Sequence, residues 1–372
     1  MQFIDLKSQY KRMDVEIQAR INNVLTHGKY IMGPEVIELE KILSEFIGTE
    51  YCISCASGTD ALLMPLMAFD IGPGDAVLTT PFTFIATAEV IQLLGATPVF
   101  VDIEEDTFNL CPEKLEQKII EIESKNKLKL KAVIPVDLFG LPSNLVHIEK
   151  ITKKKNLKLI VDSAQGFGAI INDKKSCSFG DVGATSFFPA KPLGCYGDGG
   201  AIFTNNEVLK DKLISIRVHG KGDDKYDNVR IGINGRLDTI QAAVLLTKFK
   251  YYQEEIKLRN QIAKKYNENL NSKFKSQFIP NKFESVWAQY SILADNNEHR
   301  KLIMKELNKN EIPTAIYYPK PLHWQTAFKA LGYKIGDFPI SENISNRIFS
   351  LPMHPYLSNE AIGKITSILN EF

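Results

Sequence analysis

Short apolar runs alternate with amphipathic stretches through the first half of the chain. YCISCA (51–56) is followed by TDALLMPLMAFD, DAVLTT (75–80) by IATAEVIQLLG, and TPVFVDI (97–103) by PEKLEQKIIEIE. KAVIPVDLFG then precedes LVHIEKITKKKN, and LKLIVDSAQ closes the series. The short runs place apolar residues on consecutive positions, as strands covered on both faces do. The longer stretches space them three or four apart, as helices packed along one side do. Strands alternating with helices predict an α/β domain built on a mostly parallel sheet. Gly72-Pro73-Gly74-Asp75 and Gly95-Ala96-Thr97-Pro98 supply turns before two of the strands. In such sheets the chemistry gathers at the carboxyl ends of the strands.

Leu237 to Asn269 reads as one long helix, because LDTIQAAVLLTKF combines strong helix formers with helical apolar spacing. It is expected to join a large domain, residues 1–245, to a smaller C-terminal α/β domain, residues 246–372. WAQYSILA predicts a strand in the latter, and RKLIMKELNKN and NEAIGKITSILNEF predict helices. The lysine-rich stretch from Ile119 to Lys131 reads as a helix end and a solvated loop.

At 372 residues the chain accommodates two such domains. With a net charge of +1 there is no bulk electrostatic reason to bind nucleic acid or a membrane surface. No apolar run reaches membrane-spanning length, and MQFIDLKSQYKRMD lacks the apolar core of a secretory leader, so a cytoplasmic protein is expected. Five scattered cysteines fit a reducing compartment. Cys52 and Cys55 form a C-x-x-C, but no second pair or neighbouring histidine completes a ligand set, so no metal site is expected.

Candidate chemistry begins with SFFPAKPLGCYGDGGA, residues 186–201. Prolines around Ala190-Lys191 fix φ and remove donors, and the glycines that follow permit unusual backbone angles. The segment predicts a constrained loop presenting one amine, Lys191. Such an amine can form a Schiff base with an aldehyde cofactor such as pyridoxal phosphate (PLP); the plainer alternative is a solvated surface lysine. Ser57-Gly58-Thr59-Asp60, between a strand and a helix, can hold a phosphate on free N-terminal amides or can simply cap the helix. Asp162, ending LKLIVD, can keep the pyridine nitrogen of PLP protonated, or can be a helix cap. Gln165 could hydrogen-bond the ring's phenolic oxygen. In Pro81-Phe82-Thr83-Phe84 an aromatic could stack on the ring, or both phenylalanines could be core.

The order of phosphate cup, aromatic, aspartate and lysine resembles the fold-type I PLP enzymes. More narrowly, FIDLKSQY, SGTDAL, PGDAVLTTPFTFIATA, VDSAQGFGA, SFFPAKPLGCYGDGGA, GINGRLDTIQAA, YYPKPLHWQ and LPMHPY resemble the DegT/DnrJ/EryC1/StrS family of sugar aminotransferases. The match runs from residue 3 to residue 356. It implies an aspartate aminotransferase-like fold and PLP as cofactor. It implies Lys191 as the Schiff-base lysine, Asp162 on the pyridine nitrogen, Gln165 beside the ring and Phe84 stacked on it. Gly58, Thr59 and Ser186 would bind the phosphate, and Asn234 would reach the phosphate of a partner subunit's cofactor, so that a homodimer shares its sites. The implied reaction moves an amino group from glutamate to the keto carbon of a nucleotide-linked sugar. CYGDGGAIFTN, GRLDT and LPMHPYL point to enzymes that aminate the 3-keto group of a UDP-linked 2-acetamido uronic acid in bacterial O-antigen synthesis. An aminotransferase for a dTDP-linked 3-keto or 4-keto deoxysugar, or a catalytically silent PLP binder, are the alternatives. Arg236, from the partner subunit, is expected to hold the sugar's carboxylate, unless it makes a structural ion pair with Asp238 or another acid. Tyr317, Tyr318 and His323 are candidates for sugar or nucleotide contact, although the family's frequent His-Tyr-Pro is Tyr317-Tyr318-Pro319 here. His219 and His354 read as loop and turn residues.

Overall fold

A computed structural model describes residues 1–224 and 226–372. The alternation of runs becomes a seven-stranded sheet in the order Tyr51–Cys55, Gly200–Thr204, Val182–Ser186, Lys158–Asp162, Lys129–Ile134, Asp75–Thr79, Thr97–Phe100. The neighbours from Val182–Ser186 to Thr97–Phe100 pair in parallel. Gly200–Thr204 runs antiparallel to both of its neighbours. Asp75–Thr79, Val182–Ser186 and Gly200–Thr204 are buried at every position, which explains their unbroken apolar runs. Helices cover the sheet. On one side Val36, Leu39 and Leu43 of the helix Pro34–Ile47 pack with Leu245 and Tyr252 of the long helix. On the other side Leu62 and Leu66 pack with Leu213 and Ile216.

Side-chain caps set several helix starts: Ser57 accepts from Asp60 N–H, Asn206 from Leu209 N–H and Ser358 from Ala361 N–H. The lysine-rich stretch differs from the expected helix end and loop. Its helix, Pro112–Lys125, ends at a left-handed Asn126, and a strand begins already at Lys129. Lys129, exposed, and Lys131, half-buried, therefore open an interior strand of the sheet.

The long helix spans Thr239–Asn269 and is continuous through residues 245 and 246. Its last turns carry Ile262, Ala263 and Tyr266 into a separate apolar cluster with Tyr290, Ile303, Phe349 and Ile365. That cluster lies between a three-stranded sheet, Lys275–Ser276, Tyr290–Leu293 and Ile348–Leu351, and the helices Asn297–Lys309 and Asn359–Leu369. Among the described residues no helix is long and apolar enough to cross a membrane.

Candidate functional site

Three parallel strands and one turn deliver the candidate residues to the carboxyl edge of the sheet. Asp162 ends Lys158–Asp162, Ser186 ends Val182–Ser186, and Ser57 and Gly58 follow Tyr51–Cys55. Asp162 is 4% exposed. No helix starts at Asp162, so it does not serve as a helix cap. Its Oδ2 accepts from Thr87 Oγ1 at 2.8 Å and its Oδ1 from the Ala164 N–H at 3.1 Å. Burial pushes its carboxyl up; the two donors and the Lys191 charge push it back down. Burial likewise pushes the Lys191 amine below its ordinary value, and the Asp162 charge opposes it. The two groups thus feel each other in a common desolvated space.

The loop carrying Lys191 folds back on itself. Lys191 N–H donates to the Phe188 carbonyl at 2.8 Å. A Cβ on Gly194 would lie 2.5 Å from the Pro189 carbonyl oxygen, so the return leg passes where only glycine fits. The long helix grips this leg. Lys248 Nζ donates to the Gly194 carbonyl at 2.7 Å, and Gln241 Oε1 accepts from Tyr196 N–H at 2.8 Å.

Ser57 does cap the helix Gly58–Ala68, through Asp60 N–H at 3.0 Å. The cap leaves the Gly58 and Thr59 amides of the first turn without an intrahelical acceptor. Gly58 lies beside Ser186: a Cβ on it would be 2.5 Å from Ser186 Cβ and 2.8 Å from its Oγ. The cap therefore coexists with amides free to meet an anion at the same helix end.

Phe82 and Phe84 part company. Phe82 is fully buried against Phe139 and Tyr318, whereas Phe84 is 56% exposed. The Phe84 carbonyl accepts from the N–H of Thr87, the residue whose hydroxyl holds Asp162. Gln165 Oε1 accepts from Phe139 N–H at 2.7 Å, and its Nε2 donates to Tyr318 Oη at 3.0 Å. One amide hydrogen of Gln165 remains for a further acceptor.

The other candidates lie apart. Asn234 is exposed and accepts from Arg236 Nη2 at 2.6 Å. Arg236 makes no ion pair with Asp238 among the described residues, and its Nε is buried without a partner. The Gly235 carbonyl between them accepts from Ala56 N–H at 3.0 Å. Tyr317 is half-buried against Phe3 and Tyr318, with ring centroids 6.3 and 5.9 Å away. His323 is not brought to the site as a surface contact: its side chain is buried against Phe338, and Nε2 meets Glu342 Oε1 at 3.0 Å. His354 is also buried, consistent with a packed turn residue. Two surface cavities, of about 450 and 430 Å3, meet at Glu105, Asp106 and Phe278; neither is lined by Lys191, Asp162 or Gln165.

Thr87 escaped the sequence reading. Only its place one turn beyond the Phe82-Thr83-Phe84 aromatics hinted at a site role. The donor set fits PLP: a lone amine for an aldehyde, a buried carboxylate for a ring nitrogen, an amide N–H for a ring oxygen, and free helix amides beside a serine for a phosphate.

Comparison with known proteins agrees with this geometry. The profile of the DegT/DnrJ/EryC1/StrS aminotransferase family matches residues 11–370. The chain is 45% identical over 370 residues, 99% of each sequence, to the UDP-2-acetamido-2-deoxy-3-oxo-D-glucuronate aminotransferase of Pseudomonas aeruginosa. The crystal structure of a DegT DnrJ EryC1 StrS aminotransferase from Brucella abortus superposes with a TM-score of 0.97 at 50% identity, over 100% of this chain and 99% of that one. NtdA of Bacillus subtilis, with its cofactor PMP bound, superposes with a TM-score of 0.87 at 28% identity, over 99% of this chain and 82% of that one.

Proposed function

The chain belongs to the DegT/DnrJ/EryC1/StrS family of PLP-dependent aminotransferases, and from that premise we propose that it moves an amino group from glutamate to the 3-keto carbon of UDP-linked 2-acetamido-2-deoxy-3-oxo-glucuronic acid, for a bacterial surface polysaccharide. The substrate follows from the Pseudomonas aeruginosa relative, which spans the whole chain. The reading works in a cytoplasmic homodimer with shared sites. The observation that carries it is the arrival of the buried Asp162, Ser186 and the Gly58 amide at the sheet's carboxyl edge, where the Asp162 charge acts on the amine of Lys191.

When bound, PLP supplies an aldehyde that takes up the donor's amino group and a ring that accepts electrons from the donor's α-carbon. Lys191 Nζ would hold the aldehyde and would be freed by an amino donor. Freed, the same Nζ takes the α-proton and later returns it, and its lowered pKa keeps more of it in the neutral form that can do so. Asp162, fixed by Thr87 and Ala164, would hold the ring nitrogen and keep a proton on it. Gln165 would offer its remaining N–H to the ring oxygen. Gly58, Thr59 and Ser186 would receive the phosphate, and Phe84 would cover the ring. Asn234 and Arg236 act on the partner's site, the first on the phosphate and the second on the sugar's carboxylate. Tyr317 and Tyr318 line the sugar side.

An ultraviolet–visible titration tests the reading. The holoenzyme should show a band near ~400 nm that moves toward ~330 nm on adding glutamate. Lys191→Ala should abolish that response and lower kcat by at least ~10³-fold, within the range of general acid–base catalysis. A reconstituted protein that answers no amino donor would instead be a silent PLP binder.

A further inference from the structure

The carboxyl of Asp137 has no part in this reaction as described, yet the turn that carries Asp162 and Gln165 is wrapped around it. Asp137 follows the strand Lys129–Ile134 and is fully buried. Ser163 Oγ donates to its Oδ2 at 2.5 Å, Ser176 Oγ donates to the same oxygen, and Ser143 N–H donates to Oδ1 at 3.0 Å. Its own N–H donates to the Asp162 carbonyl at 2.9 Å, and Asp162 N–H donates to the Pro135 carbonyl at 2.9 Å.

Ser163 stands between Asp162 and Gln165, and every polar atom it has is engaged. Its N–H donates to the Ala184 carbonyl at 2.8 Å, and its carbonyl accepts from Thr185 Oγ1 at 3.1 Å and from Gly166 N–H at 3.0 Å. Gly166 closes the turn directly on the carboxyl: a Cβ there would lie 2.5 Å from Asp137 Cβ. Successive side chains of an extended segment point to opposite sides. Asp162 therefore faces Lys191 while Ser163 faces Asp137.

A carboxyl is a costly way to bridge these hydroxyls. Among the described residues no cation pairs with it, and burial pushes it up to about 7 against the pull of its three donors, with the Asp162 charge adding to the rise. A neutral amide would avoid that penalty, but with one oxygen and one N–H donor group it could not accept from the Ser143 amide and both serine hydroxyls as the two carboxyl oxygens do. Cys177 is a further titratable neighbour, and burial raises its thiol as well.

We propose that Asp137 is a positioning residue for the amino transfer: by holding Ser163 and Gly166 from behind, it keeps Asp162 and Gln165 in register with the cofactor ring. The inference rests on the cofactor-site reading above and extends it to a residue that touches neither cofactor nor substrate.

The test compares Asp137→Asn and Ser163→Ala with the wild-type holoenzyme. The cofactor's visible band is followed across the pH range in which each protein is folded, together with cofactor affinity and thermal unfolding. The first variant preserves volume; the second leaves Asp137 in place and cuts only its link to the turn. In both, the midpoint of the pH-dependent band should move by about one unit and the cofactor's Kd should rise about tenfold. A role in stability alone would lower the melting temperature and leave the midpoint where it is. Wild-type midpoints in folded, cofactor-loaded variants would overturn the inference. A wild-type protein that never develops the band would overturn the functional reading itself.

Discussion

Arg236 shows how much one side chain leaves undone in a single chain. One guanidinium nitrogen donates to Asn234, while Nε is buried with no partner. A buried donor without an acceptor is costly, and a fork of N–H groups is shaped for a carboxylate. The uronic acid of the proposed substrate supplies one; a neutral sugar does not. Arg236→Ala should therefore raise KM for the carboxylated sugar ~10- to 100-fold, the worth of a hydrogen bond to a charged group, while KM for a neutral keto sugar stays within about twofold. Parallel KM measurements on the two sugars check this, and equal rises for both would remove Arg236 from substrate recognition. His323 illustrates the opposite case. Its Nε2 is already committed to Glu342, and burial pushes its pKa down although the carboxylate opposes that. It has the composition of a site residue and the surroundings of a core residue.

The long helix Thr239–Asn269 carries polar groups along a buried stripe. Gln241, Lys248, Glu255 and Arg259 fall seven, seven and four residues apart, one face of a helix. Gln241 and Lys248 hold the return leg of the Lys191 loop, Glu255 accepts from Gln9 and Tyr356, and Arg259 donates to the Trp287 and Met353 carbonyls. The element thus ties the Lys191 loop to the C-terminal cluster. Lys248 is the strained member. Burial lowers its amine to about 8, with Glu255 opposing. Between that value and the unfolded value of 10.5 the unfolded chain holds a proton that the folded chain has lost, so stability rises with pH across this window. Chemical denaturation should show Lys248→Met lacking about 1–3 kcal/mol of the wild type's gain from pH ~8 to ~10. Identical pH slopes would mean that the amine is not buried in solution. None of this was legible in the sequence. Lys191 and Asp162 declared themselves because a proline- and glycine-bound loop and a strand end are local features. Lys248 acts on Gly194 across 54 residues and Thr87 on Asp162 across 75, and no spacing rule records such contacts. Asp137 left one trace: like Asp162, it is an acid just past a buried apolar run. The helix and strand pattern was readable for a simpler reason, since burial on one or two faces writes its period directly into the chain. The exception at Lys129 arose where charged residues at a strand's open end imitate a loop.

At the scale of the molecule, the surface is unfinished around the same loops. Phe84 is 56% exposed, Phe188 stands beside the Lys191 loop half-exposed, and Ile231, three residues before Asn234, is 86% exposed. A net charge of +1 gives no electrostatic barrier to self-association. A two-fold dimer would cover these groups and bring Asn234 of one subunit to the other's phosphate cup. Subunit mixing tests this without knowledge of the interface. Lys191→Ala and Asn234→Asp are each expected to be inactive, the first for want of the amine and the second because a carboxylate repels the phosphate. Co-expressed at equal levels, half of the dimers should be mixed. Each mixed dimer has one site with Lys191 from one chain and Asn234 from the other, both intact, and one site with both lost. Activity should return to about one quarter of wild type, an arithmetic consequence of shared two-fold sites. If each site were complete within one chain, every site in the mixture would carry one defect and no activity would return. Recovery near one quarter, with size measurements giving a dimer, would therefore place Asn234 across the interface from the Lys191 it serves.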